Sequence, residues 1–282
     1  MAVKLITFEG EARSGKGTSA RAVCDVFTTA SQTVIYIDQG QKFRAFARLA
    51  LDRGVSLDDQ LAVSAFLQDA GIRKELLQLL ALVAKMEEPE VEALLYTQEI
   101  SEGSAKIGMN AHSQQIIVDV LFDQVRDISK SGDTNMVIID GRDMIVKARA
   151  MQDQGFATFI LGFYFRCDAA IAARRTEGIF VDVEDMDADD RLRLLDTILK
   201  VSDRNRRDAM RSVHPLREPG NAYALHTIDF RSDDSEYVDA AARVAQASGA
   251  VSVDTSYTRN VEEMTAPVIA LSKRVVELHQ VS

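Results

Sequence analysis

The residues best suited to chemistry come early. Gly10-Glu11-Ala12-Arg13-Ser14-Gly15-Lys16-Gly17-Thr18 fits the phosphate-binding pattern G-x-x-x-x-G-K-[ST] once a glycine is allowed before the Thr. Glycines at 10, 15 and 17 let the backbone turn tightly, so that consecutive N–H groups and the N-terminus of a following helix converge on an anion. Gly10, Ser14, Gly15, Lys16, Gly17 and Thr18 are thus candidates for holding the phosphates of a nucleotide, with the Lys16 charge on the β and γ phosphates and Thr18 facing Mg²⁺. A glycine-rich turn that merely contains a lysine is the competing explanation. The context decides: a strand-like run with β-branched Val3, Ile6 and Thr7 lies before the loop, and Ala20, Val23, Cys24 and Phe27 follow it at helical spacing.

Two further clusters carry charge at the ends of apolar runs. Asp38-Gln39-Gly40-Gln41-Lys42-Phe43-Arg44 puts a carboxylate at a strand end and a guanidinium suited to phosphate further on. Met136-Val137-Ile138-Ile139 runs into Asp140-Gly141-Arg142-Asp143. Asp140 stands where a carboxylate would hold Mg²⁺ or its waters, and Arg142 and Asp143 bring opposite charges to the same crevice. A turn with a surface ion pair would also explain residues 141–143.

Strand-like runs at residues 3–8, 33–37, 136–139, 158–165, 223–228 and 250–253 alternate with longer helical patterns. Several are almost continuously apolar, which predicts an α/β fold whose parallel sheet is covered on both faces. Ligands of such sheets sit at the strands' carboxyl ends, where the charged clusters lie. Residues 57–130 read as mostly helical, and the acidic run at residues 184–190 reads as the N-terminal cap of an Arg- and Leu-rich helix.

The formal charge of −10 makes a nucleic-acid polymer a poor partner but leaves room for a small anion in a basic pocket. Cys24 and Cys167 lie in apolar stretches without metal-ligand spacing, so two buried, reduced thiols are expected. No export signal and no run of membrane-spanning length is read, and a soluble cytoplasmic protein is the expectation.

With these residues in view, the chain resembles the cytidylate kinase family of P-loop nucleoside monophosphate kinases. The resemblance runs in the family's order through Gly15-Lys16-Gly17-Thr18, Asp38-x-Gly40 with Arg44, the LALDRGVSLDD segment at residues 49–59 and Thr97-Gln98-Glu99. It continues through Asp140-Gly141-Arg142-Asp143, Ala173-Arg174-Arg175, Asp203-Arg204-Asn205-Arg206 and Val253-Asp254-Thr255-Ser256. It implies a three-layer α/β/α P-loop NTPase fold in a single domain over residues 1–282. A helical acceptor-binding insert would occupy residues 55–130, a lid residues 174–206, and an added strand and helix residues 220–249.

The resemblance also implies ATP and Mg²⁺ as cofactors, with CMP or dCMP as acceptor. Lys16 would hold donor phosphates, and Thr18 and Asp140 the metal. Arg44, Arg142 and Arg206 would hold the acceptor's phosphate, Asp143 its base and Asp203 its sugar, while Asp38 and Gly40 belong to the same acceptor site. Arg174 and Arg175 would act from the lid, completing the catalytic set of Lys16, Arg142 and Arg206. The alternatives are a related kinase with another small acceptor, or a nucleotide-binding regulatory protein without turnover.

Departures from the family's pattern bear on the acceptor. Gln39 stands for a Ser, Phe43 for a Tyr, Ala105 (beside Ser104) for a Ser, and Gln114 and Leu199 each for an Arg. They imply weaker acceptor binding or looser sugar choice, with Lys106, Lys200 and Arg207 as candidate replacements.

Overall fold

A computed structural model describes residues 2–30, 32–211, 215–225 and 235–281. The strands are β1 (Val3–Gly10), β2 (Val34–Asp38), β3 (Met136–Asp140), β4 (Ala157–Arg166), β5 (Tyr223–Leu225) and β6 (Ala250–Asp254). The helices are α1 (Lys16–Phe27), α2 (Gln39–Asp52), α3 (Gln60–Leu67), α4 (Ile72–Val83), α5 (Glu88–Leu95), α6 (Gln98–Ile107), α7 (Ala111–Ser131), α8 (Met144–Asp153), α9 (Ala169–Glu177), α10 (Ala188–Ala209), α11 (Ser235–Ser248) and α12 (Val261–Val281). The chain divides into two compact units, one of Met1–Ile37 with Ile128–Ser282 and the other of Asp38–Asp127.

The first unit is the predicted α/β body. Its sheet runs β2-β3-β1-β4-β6-β5, and β1–β3, β1–β4, β4–β6 and β5–β6 all pair in parallel. β1 and β4 are buried almost throughout, as strands covered on both faces must be. Phe8 and Phe163 stack with ring centroids 5.1 Å apart, and Phe165 lies 6.0 Å from Phe8. Each such ring removed from water contributes about 1.5–3 kcal/mol, so this aromatic patch fixes the register of the two strands that deliver the site.

The strand-like runs at residues 223–228 and 250–253 take different places in the sheet. β6 lies against β4, and β5 forms the sheet edge beyond it. Residues 226–228 of the strand expected at 223–228 lie outside the described residues. Cys167 is buried as expected, whereas Cys24 is half-buried because it sits toward the rim of α1's packed face.

In the second unit every described element after β2 is helical. Phe46, Phe66, Leu67, Ile72, Leu76, Ile100 and Ile107 form its core, with Leu79 and Leu80 packed against it, whereas Leu77 and Leu82 are exposed.

Candidate active site

The loop after β1 is built around two glycines whose roles the backbone makes plain. A Cβ at Gly10, where φ is 134°, would lie 2.1 Å from the Phe165 carbonyl oxygen, and one at Gly15, where φ is 86°, would lie 2.2 Å from the Met264 sulfur. Both positions therefore need glycine for conformation and for space. Glu11 N–H donates to the Phe165 carbonyl at 2.8 Å, and Cys167 N–H donates to the Glu11 carboxylate at 2.9 Å, so the loop is tied to the end of β4. On its other side Thr255, after β6, donates its hydroxyl to the Ser14 carbonyl at 2.9 Å.

Lys16 opens α1, and its Nζ lies 3.2 Å from Oδ1 of Asp140 at the end of β3. The Tyr36 hydroxyl donates to Asp140 Oδ2 at 3.3 Å, and a Cβ at Gly17 would stand 3.1 Å from that same oxygen. The Asp140 carboxylate thus lies over the first turn of α1, against Lys16 and Gly17, the residues that precede Thr18. One carboxylate and one hydroxyl beside a phosphate cradle suit Mg²⁺, which takes few protein ligands and fills its shell with phosphate oxygens and water. No cluster of three or more His, Cys, Asp or Glu able to hold a metal occurs among the described residues.

The turn after β3 is held by buried charge. Arg142 Nε donates to Asp208 Oδ2 at 3.0 Å, while Arg211 reaches Asp208 Oδ1 at 2.6 Å. Burial pushes the Asp208 carboxyl up, but the two guanidiniums more than offset this and hold it below its ordinary range. Asp143 adopts φ 57° at the start of α8, and Lys147 lies 3.5 Å from its carboxylate while donating to the Arg142 carbonyl at 2.9 Å. Below them Glu9 accepts from the N–H groups of Met144 and Ile145.

Glu9 carries a pH dependence. Burial pushes its carboxyl up from 4.5 to about 7, against the pull of the two N–H bonds and Lys147 and with the help of Asp143. Between those values the folded chain keeps a proton that the unfolded chain has lost, so this group makes stability fall as pH rises through that window. The shift corresponds to about 3 kcal/mol. Glu9→Gln is expected to flatten that slope, gaining on the wild type between pH 5 and pH 8. Urea denaturation at the two pH values reads it, and an equal difference at both would refute the assignment.

The α9 and α10 residues fall into distinct places. Arg174 donates to the Val181 carbonyl. Arg175 donates to the carbonyls of Thr255 and Thr258, both at 2.6 Å, which fastens α9 to the loop that holds Ser14. Asp203 and Arg206 pair at 3.0 Å on the exposed side of α10. Asn205 accepts from Ala12 N–H at 2.8 Å, bringing α10 to the phosphate loop. Asp187 caps α10 by accepting from Asp190 N–H, which accounts for the acidic run as a cap.

The second unit carries its own cluster. Asp38 caps α2 by accepting from Gly40 N–H at 2.7 Å, and its other oxygen accepts from the Tyr96 hydroxyl at 3.2 Å. The Arg44 guanidinium stands 4.3 Å from the centroid of the Tyr96 ring. Tyr96 thus brings to this cluster the phenol that Phe43 lacks.

Gln114 is buried and donates to the Gly108 carbonyl at 2.7 Å, while Ser104 donates to the Ser101 carbonyl. Leu199 is exposed. Lys106 pairs with Asp58 and Lys200 with Asp196. Asp208, Arg211, Glu9, Lys147 and Tyr96 were not singled out by the sequence. The one signal for Asp208 is an acid alone among Arg204, Arg206, Arg207 and Arg211.

The family model described as "Cytidylate kinase" matches residues 6–235. The match thus ends ahead of β6 and α12. A cytidylate kinase of an Exiguobacterium species is 26% identical over 241 residues, covering 81% of this chain and 91% of the relative. One of Methylococcus capsulatus is 25% identical, covering 82% and 93%. A bifunctional pantoate ligase/cytidylate kinase of Synechococcus is 27% identical and covers 79% of this chain but 37% of its own length.

Proposed function

Because the chain belongs to the cytidylate kinase family, we propose that it transfers the γ-phosphoryl group of ATP to CMP or dCMP, giving the diphosphate. It is a nucleoside monophosphate kinase. The observation that carries this reading is the phosphate loop whose Lys16 meets Asp140 at the end of the neighbouring strand, two residues before a guanidinium clamped by buried Asp208.

The loop N–H groups, the N-terminus of α1 and Lys16 bind the donor phosphates in this reading. Thr18 and Asp140 would hold Mg²⁺, which supplies charge neutralisation at the β and γ phosphates. Arg44, Arg142 and Arg206 are the residues this reading assigns to the acceptor's phosphate. Asp38 and Gly40 set the geometry in which Arg44 is held. The attacking atom is a phosphate oxygen, largely ionised near neutrality, so no general base is required. Positioning and charge neutralisation are what the residues must provide.

Arg174 and Arg175 serve as lid residues, with Arg175 also positioning the phosphate loop through Thr255. A closing lid over residues 174–206 would exclude water that would otherwise accept the phosphoryl group. A cytoplasmic setting, where ATP is plentiful, suits this activity, and no described helix is long and apolar enough to cross a membrane.

Asp143 gives the base preference. Its carboxylate accepts from the exocyclic amine of cytosine and is repelled by the O4 carbonyl of uracil. Asp203 faces the sugar, without a guanidinium at Leu199 to help, so loose discrimination between ribose and deoxyribose is expected. Because Asp143 also neutralises Lys147, asparagine is a cleaner test than alanine. ADP release measured against CMP, dCMP, UMP, dTMP, AMP and GMP should favour the cytidine nucleotides. Asp143→Asn should lower the CMP over UMP preference by about tenfold. A purine preference, or unchanged discrimination in the variant, would overturn the cytidine assignment.

A further inference from the structure

The buried stripe of α2 is unusual in composition. Gln39, Lys42, Phe46 and Ala50 follow one another at helical spacing, and all are buried. The second half of the stripe is apolar, as a helix packed on a core requires, but the first two turns carry an amide and an ammonium. Gln39 is 3% exposed and Lys42 4%. Gln39 Nε2, Lys42 Nζ and Arg44 Nε have no hydrogen-bond partner among the described residues, and they are all the buried side-chain atoms of the second unit in that condition.

All three atoms are donors, so what they lack is acceptors. Leaving such groups unpaired is costly, and most costly for a charge. Burial pushes the Lys42 ammonium down to about 7, opposed by Asp38. Asp38 is already engaged by Gly40 N–H and the Tyr96 hydroxyl, and Arg44 stands beside Asp38: a Cβ at Gly40 would lie 3.0 Å from both Arg44 Nη1 and Asp38 Oδ1. One carboxylate therefore stands against two cations, Lys42 and Arg44, at the start of a helix whose dipole adds positive potential.

We propose that Lys42, with Gln39 beside it, is a binding residue for the phosphate of the nucleotide acceptor, working with Arg44. The proposal rests on the reading of this chain as a kinase of nucleoside monophosphates. A phosphate matches the cluster in three ways: it brings only acceptors, it brings the missing negative charge, and it has oxygens enough for several donors at once. Lys42 supplies from α2 a cation that Gln114, an amide engaged by the Gly108 carbonyl, does not. Lys106 and Lys200, the lysines that the sequence offers for that role, are engaged by Asp58 and Asp196.

The test is Lys42→Met, which keeps the length of the side chain and removes an ammonium that has no hydrogen-bond partner among the described residues. The full-length variant should melt at or above the wild-type temperature. Its KM for CMP should rise about 10- to 100-fold, the loss of one charge-assisted contact, while KM for ATP and kcat change less than threefold. Direct titrations with CMP and with cytidine, which lacks the phosphate, complete the test: the variant should lose affinity for CMP and keep that for cytidine within twofold.

Equal losses for both ligands would overturn the phosphate assignment, and so would unchanged CMP binding or a lowered melting temperature with KM unchanged. Failure of the wild type to bind CMP at all would instead sink the kinase reading. The two failures are therefore separable in one set of titrations.

Discussion

Lys16→Ala is expected to lower phosphoryl transfer by about 10²- to 10³-fold, the usual loss when one aligned donor to developing charge is removed, while the sheet stays folded. The Lys16 side chain is only partly buried, and it meets Asp140 at 3.2 Å. Asp140 keeps the Tyr36 hydroxyl at 3.3 Å when Lys16 is lost, so the cost in stability should stay near 1–2 kcal/mol. Lys16→Met, retaining the stem, should behave alike and so separate charge from packing. ADP release at saturating ATP and CMP measures the effect, with circular dichroism as the check on the fold. Near-normal turnover in either variant would remove the phosphate loop from the mechanism.

That loop was legible because its requirements are local. A strand, a tight turn and a helix N-terminus follow one another within the first 27 residues, and glycine is the only residue that fits at 10 and 15. The alternation of apolar runs and helical patterns likewise marks the parallel sheet, since strands buried on both faces need unbroken apolar sequence. Asp140 and Arg142 were legible for the same reason, lying at the end of such a run.

What the sequence hid depends on residues brought together from afar. Asp208 is 66 residues from Arg142 and looks like one acid in a charged helix. Glu9 reads as an ordinary strand residue, yet it accepts the N–H groups that open α8, 135 residues away. Lys42 could have been noticed: it occupies a core-facing position of an otherwise amphipathic helix, and a lysine there is exceptional. The pattern of α2 gives that signal only once its register is known, because a shift of one residue would carry Lys42 toward solvent.

Asp208 carries the second large effect. Its carboxylate is 3% exposed and joins Arg142 and Arg211, one to each oxygen. Asp208→Ala would leave two largely buried guanidiniums repelling one another with no counter-charge, a loss of about 3 kcal/mol or more. The melting temperature should fall by on the order of 10 °C. Activity should fall as well, because Arg142 loses the contact that aims it: KM for CMP is expected to rise about tenfold or more, with KM for ATP little changed. Asp208→Asn keeps the shape and one acceptor, so it should recover most of the stability and less of the acceptor affinity. Since the folded carboxyl is held below its ordinary value, its contribution is fully present above the unfolded value and is lost only as pH falls through the lower folded one. Wild type and Asp208→Asn should therefore converge in stability at acid pH and diverge toward neutrality. A constant difference across pH, or an Asp208→Ala enzyme with unchanged KM for CMP, would show that this carboxylate neither holds its charge in the fold nor positions Arg142 for the acceptor.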